Sequence, residues 1–295
     1  MKRRIRNGLW LLSLSGSLAT IAALFQIGSH LLVPSQFPVG HPPLDLPLQE
    51  ITFSNESGLQ LSGWLLKRDH ARRGILLMHG SGQNRAIMVP RARFLYEAGY
   101  SVFLFDFRAH GESDGRFRTF GIGEHEDAEA AMALLKRETG VQQTAVIGFS
   151  LGGAASILGD APLDTDAFIL EAVFPSIEAA VANRIQLRLG SFLSWTHPLL
   201  SYQIPLRMGI PLNHLRPIEK IGRISQPIFL IAGANDQRTT AQESRTLFQA
   251  ITAKTKQFWL VPEANHTNFH AAAKLVYEQK VLDFLNKALE ETRLE

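Results

Sequence analysis

The 295-residue chain has no cysteine, which excludes disulfides, a thiol nucleophile and thiolate metal sites while leaving its redox compartment open. It also has little excess basic charge beyond its first six residues. Lys2, Arg3, Arg4 and Arg6 supply four positive charges behind a net +3, so the remainder carries 3 − 4 = −1. A nucleic-acid partner calls for a basic face, and neither this balance nor any motif provides one. Gly80-Ser81-Gly82 and Gly121-Ile122-Gly123 lack the longer spacing of phosphate or dinucleotide loops. His266 and His270 stand four apart without the carboxylates that would complete a metal site. No metal and no cofactor follow from the sequence, and it has no internal repeat or low-complexity tract.

Charge is missing altogether from residues 9–33. As a helix this stretch spans about 37 Å, enough to cross a bilayer with some tilt. Ser13, Ser15, Gly16, Ser17 and Thr20 temper its hydropathy, so a cleaved signal peptide ending near Ala22 or Ala23 is the alternative. No A-x-A site is present and the apolar run continues to Val33, so residues 1–33 read as a basic N-terminus followed by an uncleaved transmembrane anchor. The cations precede the segment and no Lys or Arg follows until Lys67, which places the N-terminus in the cytoplasm and the rest outside. Residues 34–47, with prolines at 34, 38, 42, 43 and 47, read as an extended tether.

From residue 48 to 295 the pattern is that of one α/β domain. Runs at 48–53 and 59–66 predict an antiparallel pair around the turn residues Asn55 to Gly58. Further apolar runs at 75–78, 102–105, 145–147, 167–170, 228–231 and 258–261 have the near-continuous hydrophobicity of strands buried on both faces. Segments 87–98, 124–138, 151–159, 240–251 and 269–290 have helical spacing, which implies right-handed β-α-β crossovers. One connection is too long for a plain loop. More than fifty residues separate the run ending near Leu170 from that starting at Ile228, and they include Ile185, Phe192, Trp195, Leu200, Tyr202 and Leu206. This predicts a helical cap, at about 175–225, either packed on its own domain or turned toward lipid through Trp195, Tyr202 and Arg207.

Chemistry centres on Gly148-Phe149-Ser150-Leu151-Gly152, which follows a predicted strand and opens a small-residue helix. G-x-S-x-G in that setting is a nucleophile elbow, in which a Cβ at either glycine would crowd the turn. Acyl transfer by serine then needs a base, and an acid to orient it, on loops at the carboxyl ends of neighbouring strands. Asp236 follows the run ending near Ile231, and His266 follows the next, in the order Ser, Asp, His. Asp236 could instead cap the helix near Thr240, and His266 could be a surface residue. His270 and His110 are competing bases. The oxyanion hole is predicted from the backbone amides of Leu151 and of Ser81, in the loop after the third strand. Asp106 and Arg108 read as an ion pair bracing the next loop.

His79-Gly80, Asp106-x-Arg108-x-His110-Gly111-x-Ser113, Gly148-x-Ser150-x-Gly152-Gly153, Gly233-x-x-Asp236 and His266 together resemble the α/β-hydrolase superfamily. The likeness is to membrane-anchored or secreted serine hydrolases of the serine aminopeptidase-like and depalmitoylase-like branch. It implies an eight-stranded, mostly parallel sheet flanked by helices, a cap after the sixth strand, and Ser150, Asp236 and His266 as nucleophile, acid and base. Ala109 and Asn265 stand where relatives usually have glycine, and Glu171 occupies a position that carries the acid in a minority of them. The expected activity is hydrolysis of a carboxylic ester or thioester of a small-molecule or lipid-like acyl substrate. A serine peptidase or amidase is the alternative; it would need an acid in the cap to hold an amine, and Glu178 is the sole carboxylate between Glu171 and Glu219. A non-catalytic, membrane-anchored scaffold is the reading from another class.

Overall fold

A computed structural model of the protein describes residues 22, 25–29 and 32–291. Eight strands form a single sheet in the order β1-β2-β4-β3-β5-β6-β7-β8. They are β1 (Gln49–Ser54), β2 (Gln60–Leu66), β3 (Arg73–Met78), β4 (Ser101–Phe105), β5 (Gln143–Phe149), β6 (Ala167–Glu171), β7 (Ile228–Gly233) and β8 (Lys256–Val261). The first two are antiparallel to each other and to their neighbour, and the remaining six are parallel. Each lies where the sequence predicts one: β1 is shifted by one residue, β2 begins one residue later, and the other six are longer by one or two residues at one or both ends.

Both faces of the sheet are covered, which explains the unbroken apolar runs. Successive residues serve opposite sides. Leu76, Phe103, Val146, Phe168 and Leu230 pack into one core, whereas Leu77, Leu104, Ile147, Ile169 and Ile231 pack into the other. Among the described residues the helices of two turns or more are α1 (Val89–Glu97), α2 (Ile122–Thr139), α3 (Leu151–Leu158), α4 (Ile177–Leu189), α5 (Ala241–Gln249) and α6 (Lys274–Glu291). Ala128, Ala131 and Leu135 of α2 and Ala154 and Ile157 of α3 close the first core. Phe94 and Leu95 of α1 and Tyr277, Phe284 and Leu285 of α6 close the second. The predicted helix at 269–290 is interrupted: Phe269–Ala272 forms a separate turn, and Ala273 leaves helical geometry before α6 begins.

Register aligns the carboxyl ends of the parallel strands. Met78 pairs with Phe105 and Gly148, Phe149 with Glu171, Glu171 with Ile231, and Gly233 with Val261. Every loop carrying predicted chemistry therefore leaves the same edge of the sheet. Over that edge lies the cap, made of α4 and a series of short helical turns from Ser191 to Arg223. Ser176 starts α4 by accepting the Ala179 N–H at 3.2 Å on its hydroxyl. Ile185, Leu200, Ile204 and Leu215 turn inward and are buried, while Phe192, Trp195, Leu199, Tyr202 and Leu206 face outward and are exposed.

The proposed membrane-spanning segment 1–33 lies largely outside the described residues, and among those described no helix is long and apolar enough to cross a membrane. Residues 34–47 contain no helix, as their prolines predict, yet they lie against the domain. Ser35 bridges His110, its N–H donates to the Ala109 carbonyl at 2.7 Å, and Val39 and Leu46 are buried. Upstream, Arg207 of the cap donates to the Ser29 hydroxyl at 2.8 Å and stacks over the Phe25 ring at 3.9 Å.

Candidate active site

Ser150 is the hinge between β5 and α3. Its φ of 50° and ψ of −105° are strained for a residue with a side chain, a cost of about 1–3 kcal/mol that the surrounding structure must hold in place. Two hydrogen bonds do so: the Ser150 N–H donates to the Glu171 carbonyl at 2.7 Å, and its own carbonyl accepts from Ala154 N–H at 3.0 Å. The flanking glycines are required by close backbone approach. A Cβ at Gly148 would stand 2.6 Å from Gly153 N, and one at Gly152 would stand 2.5 Å from the Met78 carbonyl oxygen.

Asp236 leaves the end of β7 in a tight turn. Its Oδ1 accepts the backbone N–H groups of Arg238 and Thr239 at 2.8 and 3.0 Å, and Oδ2 accepts from His266 Nδ1 at 2.7 Å. The helix that follows is capped by Thr240 with Glu243, so Asp236 is free of that duty. His266 comes from the loop after β8, is 7% exposed, and packs against the Phe149 ring at 5.3 Å between centroids. Because Nδ1 donates to Asp236, its Nε2 is left with the lone pair that a general base needs. Asn265 needs no left-handed backbone here; its side chain accepts the Thr267 N–H at 3.0 Å, and its own N–H donates to Asn268 Oδ1 at 2.8 Å. Ala109, by contrast, has a φ of 58°, the conformation for which glycine would be unstrained.

Ser81, Ser150, Leu151 and His266 line one cavity of about 1200 Å³ between the sheet edge and the cap. Asp236 stands behind His266, and the cap contributes Ile177, Val181, Ile185, Leu189 and Leu200. The five residues predicted for the site are thus brought together, from stretches separated by up to 185 positions (266 − 81 = 185).

The competing residues are committed elsewhere. His270 stacks on Phe94 at 5.9 Å and bonds Glu278 at 2.8 Å. His110 is buried, donates from Nδ1 to the Arg108 carbonyl at 2.8 Å, and burial together with the nearby His79 pushes its pKa down to about 3. Glu171 is fully buried against Arg91, with carboxylate-to-guanidinium bonds of 2.6 and 3.2 Å, and also accepts from Tyr277. The expected Asp106–Arg108 ion pair does not form. Asp106 pairs with Arg85 and accepts the Glu112 N–H at 3.0 Å, while Arg108 binds Asp127 at 2.7 Å and Glu126 at 2.8 Å. Each finds its counter-charge on another element, Asp106 on Arg85 ahead of α1 and Arg108 on Glu126 and Asp127 of α2.

Four arginines on the cavity wall escaped the sequence reading: Arg118, Arg184, Arg188 and Arg238. Arg184 and Arg188 are four apart in the segment predicted to form the helical cap, a spacing that puts them on one helix face. Nothing local marks Arg118, whose Nη1 donates to the Ser81 hydroxyl at 3.2 Å.

Residues 69–220, more than half of the chain, match the family described as Serine aminopeptidase, S33. An uncharacterized protein of Mycobacterium tuberculosis, Rv2307c, is 28% identical over 264 residues, covering 88% of this chain and 85% of its own. The alpha/beta hydrolase domain-containing protein WAV2 of Arabidopsis thaliana is 27% identical, covering 88% and 85%. In three dimensions the Pyrococcus furiosus esterase Pf2001 superposes with a TM-score of 0.73 at 22% identity, over 87% of this chain and 98% of that one. By the match over more than half of its length, the chain belongs to the serine aminopeptidase S33 family of α/β hydrolases.

Proposed function

We propose that this hydrolase is a serine esterase or thioesterase working through an acyl-enzyme. Ser150 Oγ attacks the substrate carbonyl while His266 Nε2 takes its proton, and Asp236 stabilises the resulting imidazolium. The backbone amides of Leu151 and Ser81 receive the oxyanion; losing one such donor costs about 3 kcal/mol of transition-state stabilisation. Collapse of the tetrahedral species breaks the bond to the alcohol or thiol, which leaves with the proton from His266. Water, deprotonated in turn by His266, then releases the acid and restores Ser150. The observation that carries this reading is the 2.7 Å His266–Asp236 bond on the wall of the cavity that also holds strained Ser150.

Ester chemistry is favoured over aminopeptidase chemistry by the cavity wall. No Asp or Glu is among the described residues lining it, and Glu178 is taken by Arg216 at 2.7 Å. A substrate ammonium would therefore meet no counter-charge. The test is hydrolysis of short p-nitrophenyl esters and labelling by a fluorophosphonate. Both are expected to vanish in Ser150→Ala, and unchanged hydrolysis by that variant would refute the proposal.

We further propose that residues 1–33 attach the protein to a membrane with its catalytic domain outside the cytoplasm. The uncharged run 9–33 supports this, as do the exposed Phe192, Trp195 and Leu206 of the cap. Retention of the full chain in membranes washed with alkaline carbonate is the expected outcome, and its release would refute the anchor.

A further inference from the structure

The wall of the cavity above Ser150 has four arginines and, among the described residues, no carboxylate. Arg184 and Arg188 lie one turn apart on α4, Arg238 is two residues beyond Asp236, and Arg118 reaches the Ser81 hydroxyl. Among the described residues Arg184, Arg188 and Arg238 form no ion pair within 4.0 Å. Arg184 donates to the Ala180 carbonyl of its own helix at 2.8 Å. Carboxylates on α4 and α5 have other partners. Glu178 holds Arg216, and Glu243 accepts from Asn183 at 2.8 Å and from Thr240 N–H at 2.7 Å. Asp236 does act on Arg184 through space, but both its oxygens are already hydrogen-bonded to His266 and the backbone.

Like charges gathered at the wall of one cavity repel one another, and those that are buried lose hydration. Burial, together with Arg238, Arg188 and Arg118, pushes the Arg184 pKa down to about 10 against the opposing pull of Asp236, so it stays cationic at neutral pH among charges that are mostly of its own sign. A wholly apolar acyl substrate would leave that field as it is. An anion with paired oxygens would relieve it, because guanidinium groups bind carboxylate and phosphate through two parallel charge-assisted hydrogen bonds.

Resting on the esterase reading, we infer that the cavity takes an ester or thioester bearing a second, anionic oxygen group, a carboxylate or a phosphate, and that Arg184 with Arg188 and Arg238 forms the subsite for it. The anion sits beside the scissile carbonyl, between α4 and the loop after β7, so it belongs either to the acyl chain or to the leaving alcohol.

Two matched pairs of substrates test this on the full chain and separate those sources. Mono-p-nitrophenyl adipate against p-nitrophenyl hexanoate places a carboxylate in the acyl part. 1-Octanoyl-glycerol 3-phosphate against 1-octanoyl-glycerol places a phosphate in the leaving group. The expected result is a kcat/KM preference of about tenfold or more for the charged member of at least one pair, falling about tenfold in Arg184→Gln and partly restored in Arg184→Lys. Arg188→Gln, on an exposed stretch of α4, provides a second variant should Arg184→Gln fail to fold. Equal rates within both pairs, or a preference unaltered by either substitution, would overturn the subsite.

The hydrolase reading fails separately, if no ester is cleaved in a Ser150-dependent way. Calorimetry with octylphosphonate on Ser150→Ala then reads the subsite without catalysis. Binding that weakens about tenfold when Arg184→Gln is added supports it, and absent or unweakened binding overturns it.

Discussion

His79 Nε2 accepts a hydrogen bond from the backbone N–H of Phe107 at 3.1 Å, and the same ring donates from Nδ1 to the Gly80 carbonyl at 2.8 Å. The imidazole thus ties the loop of Ser81 to the loop after β4, and the tie requires the neutral ring. Burial pushes the His79 pKa down to about 4 from its ordinary 6.5. Between these values the unfolded chain binds a proton that the fold refuses, so the contribution is full above pH 6.5 and is lost as pH falls toward 4. The expected loss is on the order of 3 kcal/mol. Urea unfolding at pH 7.5 and 4.5 measures it; His79→Gln is expected to be less stable at pH 7.5 and to show a shallower decline. An identical decline in that variant would assign the acid sensitivity to other groups.

Asp236 and Glu171 are the two acids that the sequence offers for the triad, and their partners separate them. Asp236→Asn can still accept the Arg238 and Thr239 N–H groups, but an amide no longer stabilises the imidazolium of His266. A fall in kcat of about 10⁴-fold is expected, as for the same change in another serine triad. Glu171→Gln, whose side chain meets Arg91 and Tyr277, is expected to keep kcat within about threefold while lowering the melting temperature, since a buried guanidinium loses its counter-charge. Reversal of these two outcomes in steady-state kinetics would transfer the acid role to Glu171.

Gly152→Ala tests the tightness of the elbow. The new methyl would stand 2.5 Å from the Met78 carbonyl oxygen, a backbone atom within the sheet that has no room to retreat. Overpacking of this kind costs about 1–3 kcal/mol, and any shift of α3 also moves the Leu151 amide. The expected result is a lower midpoint in chemical denaturation together with loss of turnover. Wild-type stability would mean that the elbow has slack.

Much of the fold was legible because burial on two faces leaves a strong trace in one dimension. Ile75-Leu76-Leu77 and Val102-Phe103-Leu104 read as strands since each residue is apolar whichever core it enters. The break at Ala273 was not legible, because alanine favours helix and nothing nearby interrupts the pattern. The loop after β4 shows the same limit. Asp106 and Arg108 look like partners by proximity, yet each finds its counter-charge elsewhere, Asp106 on Arg85 and Arg108 on Asp127.

By itself, the sequence determined where the residues proposed for the chemistry stand. Ser150, Asp236 and His266 each follow an apolar run that is bound to be a strand, and parallel strands deliver their trailing loops to one edge. Only the tertiary structure decided what surrounds that chemistry. The cap places Arg184 and Arg188 over Ser150, and the loop ahead of α2 swings Arg118 onto Ser81. Those neighbours are set by packing between segments far apart in the chain, for which local pattern has no term; the strand ends obey a rule of topology, and the cap obeys none.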